Sequence, residues 1–65
     1  MYGQRLRESR EEKGLTQKQL ADLLLTTQST IGKYEREELQ PNVETIIKIC
    51  KTLEITSDYL LGLED

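Results

Sequence analysis

The sequence predicts an all-α fold, a compact bundle of five short helices in one small domain. The chain has 65 residues, enough for at most one small domain with a marginal core. No segment alternates between apolar and polar residues for more than a few positions, as a half-buried strand would. Signals that begin and end helices recur at short intervals instead, and they locate each helix in turn.

The first helix is predicted over residues 4–13, because Gly14 directly after it favours the left-handed conformation that ends many helices. The apolar side of this helix is thin. It begins with Tyr2 and Leu6, and the next position on the same line is the charged Arg10.

The second helix is predicted over residues 17–24 and has the clearest start in the sequence. Thr16 and Gln19 have the spacing of a capping box, in which each side chain accepts a hydrogen bond from the other residue's backbone N–H. Leu15 and Leu20 flank them at the positions of a hydrophobic staple. The residues expected inside are Leu20, Ala21 and one of Leu23 and Leu24.

The remaining helices follow further capping residues. Thr27 is expected to cap a third helix over residues 28–36, and Asn42 is expected to cap a fourth. Ser57 is expected to cap a short fifth helix over residues 58–61. The apolar stripe predicted for the fourth helix consists of Val43, Ile46, Ile47, Cys50 and Leu53.

The net charge divides unevenly along the chain. Nine basic and twelve acidic residues give −3, which taken whole argues against a nucleic-acid binder. Residues 1–36, however, hold seven basic and five acidic side chains, whereas residues 37–65 hold two and seven. The whole-chain figure therefore averages a half at +2 and a half at −5.

Composition excludes several classes of function. The chain has no histidine and one cysteine, so the usual general base, the usual metal ligand and an intramolecular disulfide are all missing. Cys50 is interpreted as core packing rather than a redox sensor. Three pairs of neighbouring acids are interpreted as solvated surface, namely Glu11-Glu12, Glu37-Glu38 and Glu64-Asp65. We therefore predict no enzyme, no metal site and no cofactor.

The chain also gives no sign of secretion or membrane insertion. Its N-terminus lacks the apolar stretch of a signal peptide, and its longest aliphatic run is Leu23 to Leu25. We expect a cytoplasmic protein with no membrane partner.

The second and third predicted helices are separated by only residues 25–27, and so short a connection forces the sharp crossing of a helix-turn-helix. The third helix has Ile31 and Tyr34 on one side. Its other side carries Gln28, Ser29, Gly32, Lys33 and Arg36. Side chains of this kind contact base edges and phosphates, but polar outer faces are common on any solvated helix. Periodicity alone leaves both interpretations open.

Several spaced motifs agree in one register over nearly the whole chain. They are Gln17-x2-Leu20-Ala21, Thr27-Gln28-Ser29-Thr30-Ile31-x2-Tyr34-Glu35-Arg36, Pro41-Asn42-x2-Thr45 and Ser57-Asp58-Tyr59-Leu60-Leu61-Gly62. In these motifs the chain resembles the phage Cro/CI-type and Xre-type helix-turn-helix repressors. The resemblance implies a lambda repressor-like DNA-binding domain with its motif at residues 17–36 and its recognition helix at residues 28–36. It also implies a homodimer on a pseudo-palindromic, double-stranded operator.

The resemblance, together with side-chain chemistry, assigns the expected contacts to DNA. The residues expected to read bases in the major groove are Gln28, Ser29 and Lys33. The residues expected to contact phosphates are Gln17, Lys18, Thr27, Arg36, Asn42 and Val43, the last two through backbone amides at a helix N-terminus.

The resemblance also suggests an ion pair between Arg10 and Glu35 that fixes the angle of the recognition helix. Each charge lies on the inward line of its helix and would be costly to bury alone. Two separate exposed charges are the alternative.

The chain departs from the family at three positions where the family has glycine, namely Leu25, Glu37 and Glu54. Glycine serves there because helix ends often need a positive φ, so we expect these turns to differ in detail. Glu37 and Glu38 also bring two carboxylates to a loop that follows the DNA backbone in the family. We expect them to weaken DNA binding or to turn the loop towards a protein partner.

The leading hypothesis is a sequence-specific, DNA-binding transcriptional regulator, a repressor encoded by a bacterium, phage or mobile element. The alternative is a protein-interaction module, such as an antitoxin or anti-repressor, whose main partner is a protein. The acidic loop favours the alternative. The side chains that favour DNA are Gln17, Gln28, Lys33 and Arg36.

Overall fold

The computed structural model describes residues 1–63, and within them it contains five α-helices and no strand. Glu64 and Asp65, which we interpreted as solvated acids, lie outside the described residues. The helices are α1 (Tyr2–Glu12), α2 (Gln17–Leu23), α3 (Gln28–Glu35), α4 (Val43–Leu53) and α5 (Ser57–Leu61). The predicted all-α bundle of five short helices is confirmed. No helix in this range is long and apolar enough to span a bilayer.

Local capping signals locate the starts of α2, α3 and α4 as predicted. Thr16 and Gln19 form both hydrogen bonds of a capping box, at 3.0 and 2.8 Å. Thr27 caps α3 and Asn42 caps α4, each by accepting the backbone N–H three residues later. The prediction for α5 is wrong by one residue, because Thr56 rather than Ser57 has the extended backbone and hydroxyl contact of a cap.

The start of α1 depends on a tertiary contact instead. The helix begins at Tyr2, two residues before the predicted start, and Met1 makes no side-chain cap. The carboxylate of Glu37, distant in sequence, accepts the backbone N–H of Gly3 at 3.2 Å. Since the first N–H groups of a helix have no partner within it, this carboxylate replaces a local cap.

The core is built from one or two inward residues of each helix. Its fully buried large side chains are Leu6, Leu20, Ile31, Ile49, Leu53 and Leu60. Of the two candidate leucines at the end of α2, Leu24, the residue directly after the helix, is buried at 7 % exposure, whereas Leu23 is 58 % exposed.

The predicted stripe of α4 needs a correction. Ile49 is fully buried although the stripe omitted it, whereas Val43 and Ile47 are 71 % and 48 % exposed. The inward line runs through Ile49 and Leu53, so the helix is rotated away from the predicted face. Ile46 and Cys50 are half-buried against the core.

All five helices end in the same hydrogen-bonding pattern, in which an N–H reaches the carbonyl five residues earlier. This Schellman pattern requires a left-handed residue, and Gly14 and Gly62 supply it after α1 and α5. Leu25, Glu37 and Glu54 supply it elsewhere, with φ of 57°, 59° and 57°. The expected rearrangement of these three turns is therefore wrong, because the chain keeps the turns and bears about 1 kcal/mol or more of strain at each.

The helices pack so that α3 is held from two sides. α2 lies against α3, and α1 contacts both α3 and α5. The guanidinium of Arg5 lies 4.8 Å from the ring centroid of Tyr59 and donates to its backbone carbonyl at 2.7 Å. α1 is therefore the element that ties α5 and α3 together.

Candidate nucleic-acid interface

The outer side of α3 is polar and open to solvent. Ile31 and Tyr34 hold the helix against the core, at 0 % and 8 % exposure. Gln28, Ser29 and Lys33, the predicted base-reading residues, are all exposed on this helix. The interface therefore has a firm apolar anchor and a polar outer side long enough to enter a major groove.

The N-terminus of α3 is capped by a predicted phosphate contact. Thr27 Oγ1 accepts the backbone N–H of Thr30 at 3.2 Å and lies 2.9 Å from the Thr30 hydroxyl. Thr27 itself is exposed. The cap leaves the first backbone N–H groups of α3 directed outwards, where an anion is favoured.

Arg10 and Glu35 lie together between α1 and α3. Arg10 Nε donates to Glu35 Oε2 at 2.6 Å, and the two side chains are 9 % and 5 % exposed. A second bond joins Arg10 Nη2 to Glu35 Oε1 at 3.3 Å, so the pair is a two-bond fork. Arg10 Nη1 donates to the carbonyl of Leu15 at 2.7 Å. The guanidinium therefore also holds the turn between α1 and α2.

Gln17 also contacts this pair. Its predicted role was a phosphate contact only, so the bond to Glu35 was not expected. Its Nε2 donates to Glu35 Oε1 at 3.1 Å. An amide nitrogen carries two hydrogens, so one can hold Glu35 while the other points elsewhere. The position of Gln17 is thus fixed by the same carboxylate that fixes Arg10.

Gly32 is buried, contrary to its predicted place on the exposed side of α3. The side chain of Arg36, one turn later, folds back over it, and a Cβ at Gly32 would lie 2.9 Å from Arg36 Nη1. The same Cβ would lie 3.7 Å from Gln17 Nε2. Because Gly32 has no side chain, the guanidinium of Arg36 can lie over it, close to Gln17.

A cleft of about 360 Å³ opens beside these groups. It is lined by Arg7, Arg10, Gln17, Glu35 and Arg36. Each of its three arginines has an acidic partner: Arg7 pairs with Glu11 at 3.5 Å, Arg10 with Glu35, and Arg36 with Glu38. A phosphate entering the cleft would therefore compete with carboxylates for these guanidinium groups. Arg7 was not among the predicted residues, although its spacing of three from Arg10 puts both on adjacent parts of α1.

The two carboxylates of the loop after α3 have partners within the chain. Glu37 pairs with the α-amine of Met1 and accepts from Gly3, and these two hydrogen bonds lower the pKa of its carboxyl. Glu38 pairs with Arg36, and that hydrogen bond lowers the pKa of Glu38 and raises the pKa of Arg36. Both loop charges are therefore compensated internally.

The remaining predicted phosphate contacts lie apart from the cleft. Lys18 is exposed on α2 and its Nζ lies 3.5 Å from Asp22 Oδ1, so its charge is shared. Asn42 Oδ1 accepts the N–H of Thr45 at 2.8 Å, and Val43 is the first residue of α4. The amide of Val43 therefore lies at an exposed helix N-terminus.

Burial raises the pKa of the Cys50 thiol, which favours its neutral form. A protonated, half-buried thiol is a weak nucleophile and fits the role of core packing. Within residues 1–63, no cluster of three or more acidic or cysteine side chains is arranged to hold a metal ion.

A close approach of backbones at Gly3 was also missed. A Cβ at Gly3 would lie 2.3 Å from the carbonyl oxygen of Glu35, which is shorter than any real contact. Glycine is therefore required where α1 meets the end of α3. Sequence alone gives no signal for this, because glycine in a helix usually marks nothing more than low helix propensity.

An α2–turn–α3 unit with a polar outer helix, held in a five-helix bundle, defines the helix-turn-helix class of protein. A family model described as "Helix-turn-helix" matches residues 6–60. The chain belongs to this family, and its resemblance to the Cro/CI- and Xre-type repressors is confirmed.

Relatives in this family are transcriptional regulators. The chain is 35 % identical over 63 residues to the HTH-type transcriptional regulator ImmR of Bacillus subtilis, covering 97 % of this chain and 50 % of ImmR. The match to the prophage-derived regulator YonR of the same organism covers 56 % of that protein. The chain therefore spans about half the length of the curated relatives it matches.

Solved structures agree with this assignment. The crystal structure of the c2 repressor of Salmonella phage P22 with a synthetic operator superposes with a TM-score of 0.87 at 30 % identity. The match covers 92 % of this chain and 91 % of that one. The restriction-modification controller protein C.AhdI from Aeromonas hydrophila gives 0.83 at 39 % identity, over 91 % and 86 % of the chains.

Proposed function

We propose that the chain is a sequence-specific, DNA-binding transcriptional regulator, a repressor that binds a pseudo-palindromic operator as a homodimer. Residues 1–65 act as one DNA-binding domain with its motif at residues 17–36. The observation that carries the proposal is the exposed polar side of α3, anchored by Ile31 and Tyr34 in a fold similar to an operator-bound phage repressor. This observation supports residues 28–36 as the recognition helix.

The roles proposed along α3 follow from donor and acceptor chemistry. Gln28 at the start of the helix has both a donor and an acceptor, which suits the paired groups of adenine. Ser29 adapts to several base edges, and Lys33 donates to guanine. These three side chains read the operator in the major groove.

Phosphate contacts complete the interface. Gln17 uses its second amide hydrogen, and Thr27 uses the capped start of α3. Lys18 and Arg36 contribute charge, while Asn42 and Val43 offer the N-terminus of α4. These phosphate contacts fix the register of α3 in the groove.

The proposed function is binding, with neither a catalysed reaction nor a cofactor. The protein would act in the cytoplasm and be encoded by a bacterium or a phage. The alternative hypothesis, in which the main partner is a protein, loses the observation that chiefly favoured it. The acidic loop that favoured it consists of Glu37 and Glu38, and both carboxylates have partners within the chain.

Selection of bound duplexes from a random DNA library, run at two salt concentrations, tests the proposal. We expect enrichment of an inverted repeat and an affinity that falls as salt rises, since phosphate contacts release counterions. Absence of any enriched sequence at low salt would reject it.

The selected operator then permits a test of base reading at Gln28. We expect Gln28→Ala to relax the preference at one base pair in each half-site and to cost about 1–3 kcal/mol of binding. Gln19→Ala is the matched control, since Gln19 is also exposed but only completes the α2 capping box. An unchanged preference in the Gln28 variant would remove this residue from the reading set.

A further inference from the structure

Arg36 and Glu38 form a fork on the surface beside the cleft. Arg36 Nε donates to Glu38 Oε2 at 2.9 Å, and Arg36 Nη2 approaches Glu38 Oε1 at 3.3 Å. Two parallel bonds of this kind are the arrangement by which a guanidinium also binds a phosphate. The carboxylate of Glu38 therefore occupies the edge of Arg36 that would best hold a DNA backbone.

The third nitrogen of Arg36 points the other way. Nη1 lies over Gly32, near Gln17 and the cleft that Arg7 and Arg10 also line. The guanidinium thus lies where a phosphate would enter. The edge formed by its Nε and Nη2 atoms, however, is already bonded to Glu38. A phosphate that engages this edge must first displace Glu38.

We propose that Glu38 is an internal competitor for phosphate, which lowers the affinity of this chain for any DNA duplex by holding the guanidinium of Arg36. The inference rests on the proposed DNA-binding function and adds an attenuating residue to it. Because phosphates carry no sequence information, Glu38 weakens binding to operator and to random duplex by the same factor.

Glu37 provides a matched control within the same loop. It carries the same charge one residue earlier, but its carboxylate pairs with the start of α1 rather than with Arg36. Glu37→Gln and Glu38→Gln therefore change the net charge equally, and only the second releases Arg36. If the two variants differ in DNA affinity, the effect comes from the release of Arg36 and not from general repulsion between the acidic loop and DNA.

The experiment measures affinity of the 65-residue chain for the selected operator and for a random duplex across a salt series, for four variants and the unchanged chain. The variants are Glu38→Gln, Glu37→Gln, Arg36→Gln and the double variant Arg36→Gln/Glu38→Gln. We expect Glu38→Gln to tighten binding to both duplexes about two- to fivefold at low salt, the range for a surface ion pair. Its log–log salt slope should steepen by about one.

The double variant decides whether Glu38 acts through Arg36. We expect the gain in affinity from Arg36→Gln to the double variant to be no larger than the gain that Glu37→Gln gives in the unchanged chain. A gain that persists without Arg36, or equal gains from Glu37→Gln and Glu38→Gln, would overturn the inference and leave the proposed function intact. Failure of the unchanged chain to bind any duplex at low salt would overturn the proposed function itself.

Discussion

The two ends of α3 are built in opposite ways. At the start, Thr27 caps the helix and Gln28 and Ser29 stand exposed to solvent. At the end, Tyr34 is buried, and the carboxylate of Glu35 is bonded to α1 and α2. One end is open for contact, and the other is fixed in the bundle.

This difference separates two tasks that a recognition helix must perform. A side chain that reads a base must be exposed, and exposed side chains contribute little to stability. The angle of the helix must nevertheless be held within narrow limits, which requires buried and geometrically exact contacts. Substitutions at the two ends should therefore change different measurable quantities.

The largest effect is expected from Glu35→Gln, which leaves the buried charge of Arg10 with only the exposed Glu11, 4.0 Å away, as an acidic neighbour. Breaking a buried pair in this way costs about 3–5 kcal/mol. A domain of this size has roughly 0.05–0.15 kcal/mol of stability per residue, so most of the free energy of unfolding would be lost. Chemical denaturation followed by circular dichroism measures the loss.

A double variant shows whether the loss comes from the orphaned charge. Arg10→Met with Glu35→Leu removes both charges and keeps apolar volume, and such replacements are often tolerated. We expect the double variant to be more stable than Glu35→Gln alone. If Glu35→Gln unfolds at the same denaturant concentration as the unchanged chain, then the pair does not hold this end of α3.

A smaller loss is expected from Gly3→Ala, which forces a methyl group against the backbone of Glu35. Since neither backbone can move without shifting a helix, we expect a cost of about 1–3 kcal/mol, typical of overpacking. Gln4→Ala is the control, because Gln4 is exposed on the same helix and its loss should matter little. Equal stability of the two variants would mean that α1 and α3 do not meet closely at Gly3.

Local helix caps were easier to predict from the sequence than contacts between distant elements, although the family resemblance did suggest the pair of Arg10 and Glu35. Thr16, Thr27 and Asn42 act on N–H groups three residues away, so their roles follow from local spacing. Gly3 and Glu37 act on elements more than thirty residues distant, as the bond between them shows. Nothing in local sequence encodes such contacts, because they depend on how whole helices approach each other.

The same contrast applies to the candidate site. Helical periodicity predicted that Gln28, Ser29 and Lys33 lie on the polar side of α3, and all three are exposed there. Their role in reading bases came from the family resemblance and stays a prediction. Arg7 was missed and Gly32 was misplaced, because the cleft depends on side chains that cross between elements. Caps and apolar spacing were enough to predict the fold over residues 1–63, whereas the cleft forms between side chains of α1, α2 and the end of α3, which local sequence does not bring together.

A substitution in the turn between α2 and α3, which leads into the open end, should raise the stability of the chain rather than lower it. Leu25 has a φ of 57° and is 90 % exposed, so its side chain adds strain and few contacts. We expect Leu25→Gly to stabilise the chain by about 0.5–1 kcal/mol, because glycine adopts this φ without strain. Thermal unfolding measures the shift.

Leu23 supplies the control for this turn. It is also exposed, but it lies within α2, where glycine costs about 1 kcal/mol relative to a good helix former. Leu23→Gly should therefore destabilise the chain. A loss of stability in both variants would show that Leu25 makes contacts that outweigh its strained backbone.

The smallest effect on stability is expected from Lys33→Ala at the exposed side of α3. The side chain lies on the surface, so the free energy of unfolding should change by less than about 0.5 kcal/mol. DNA affinity should fall all the same, and the dependence of that loss on sequence distinguishes a base contact from a phosphate contact. Lys51→Ala removes an equal charge from the last turn of α4, where no contact with DNA is proposed, and should leave affinity nearly unchanged. Equal losses of affinity in both variants would mean that net charge, rather than the open side of α3, determines binding.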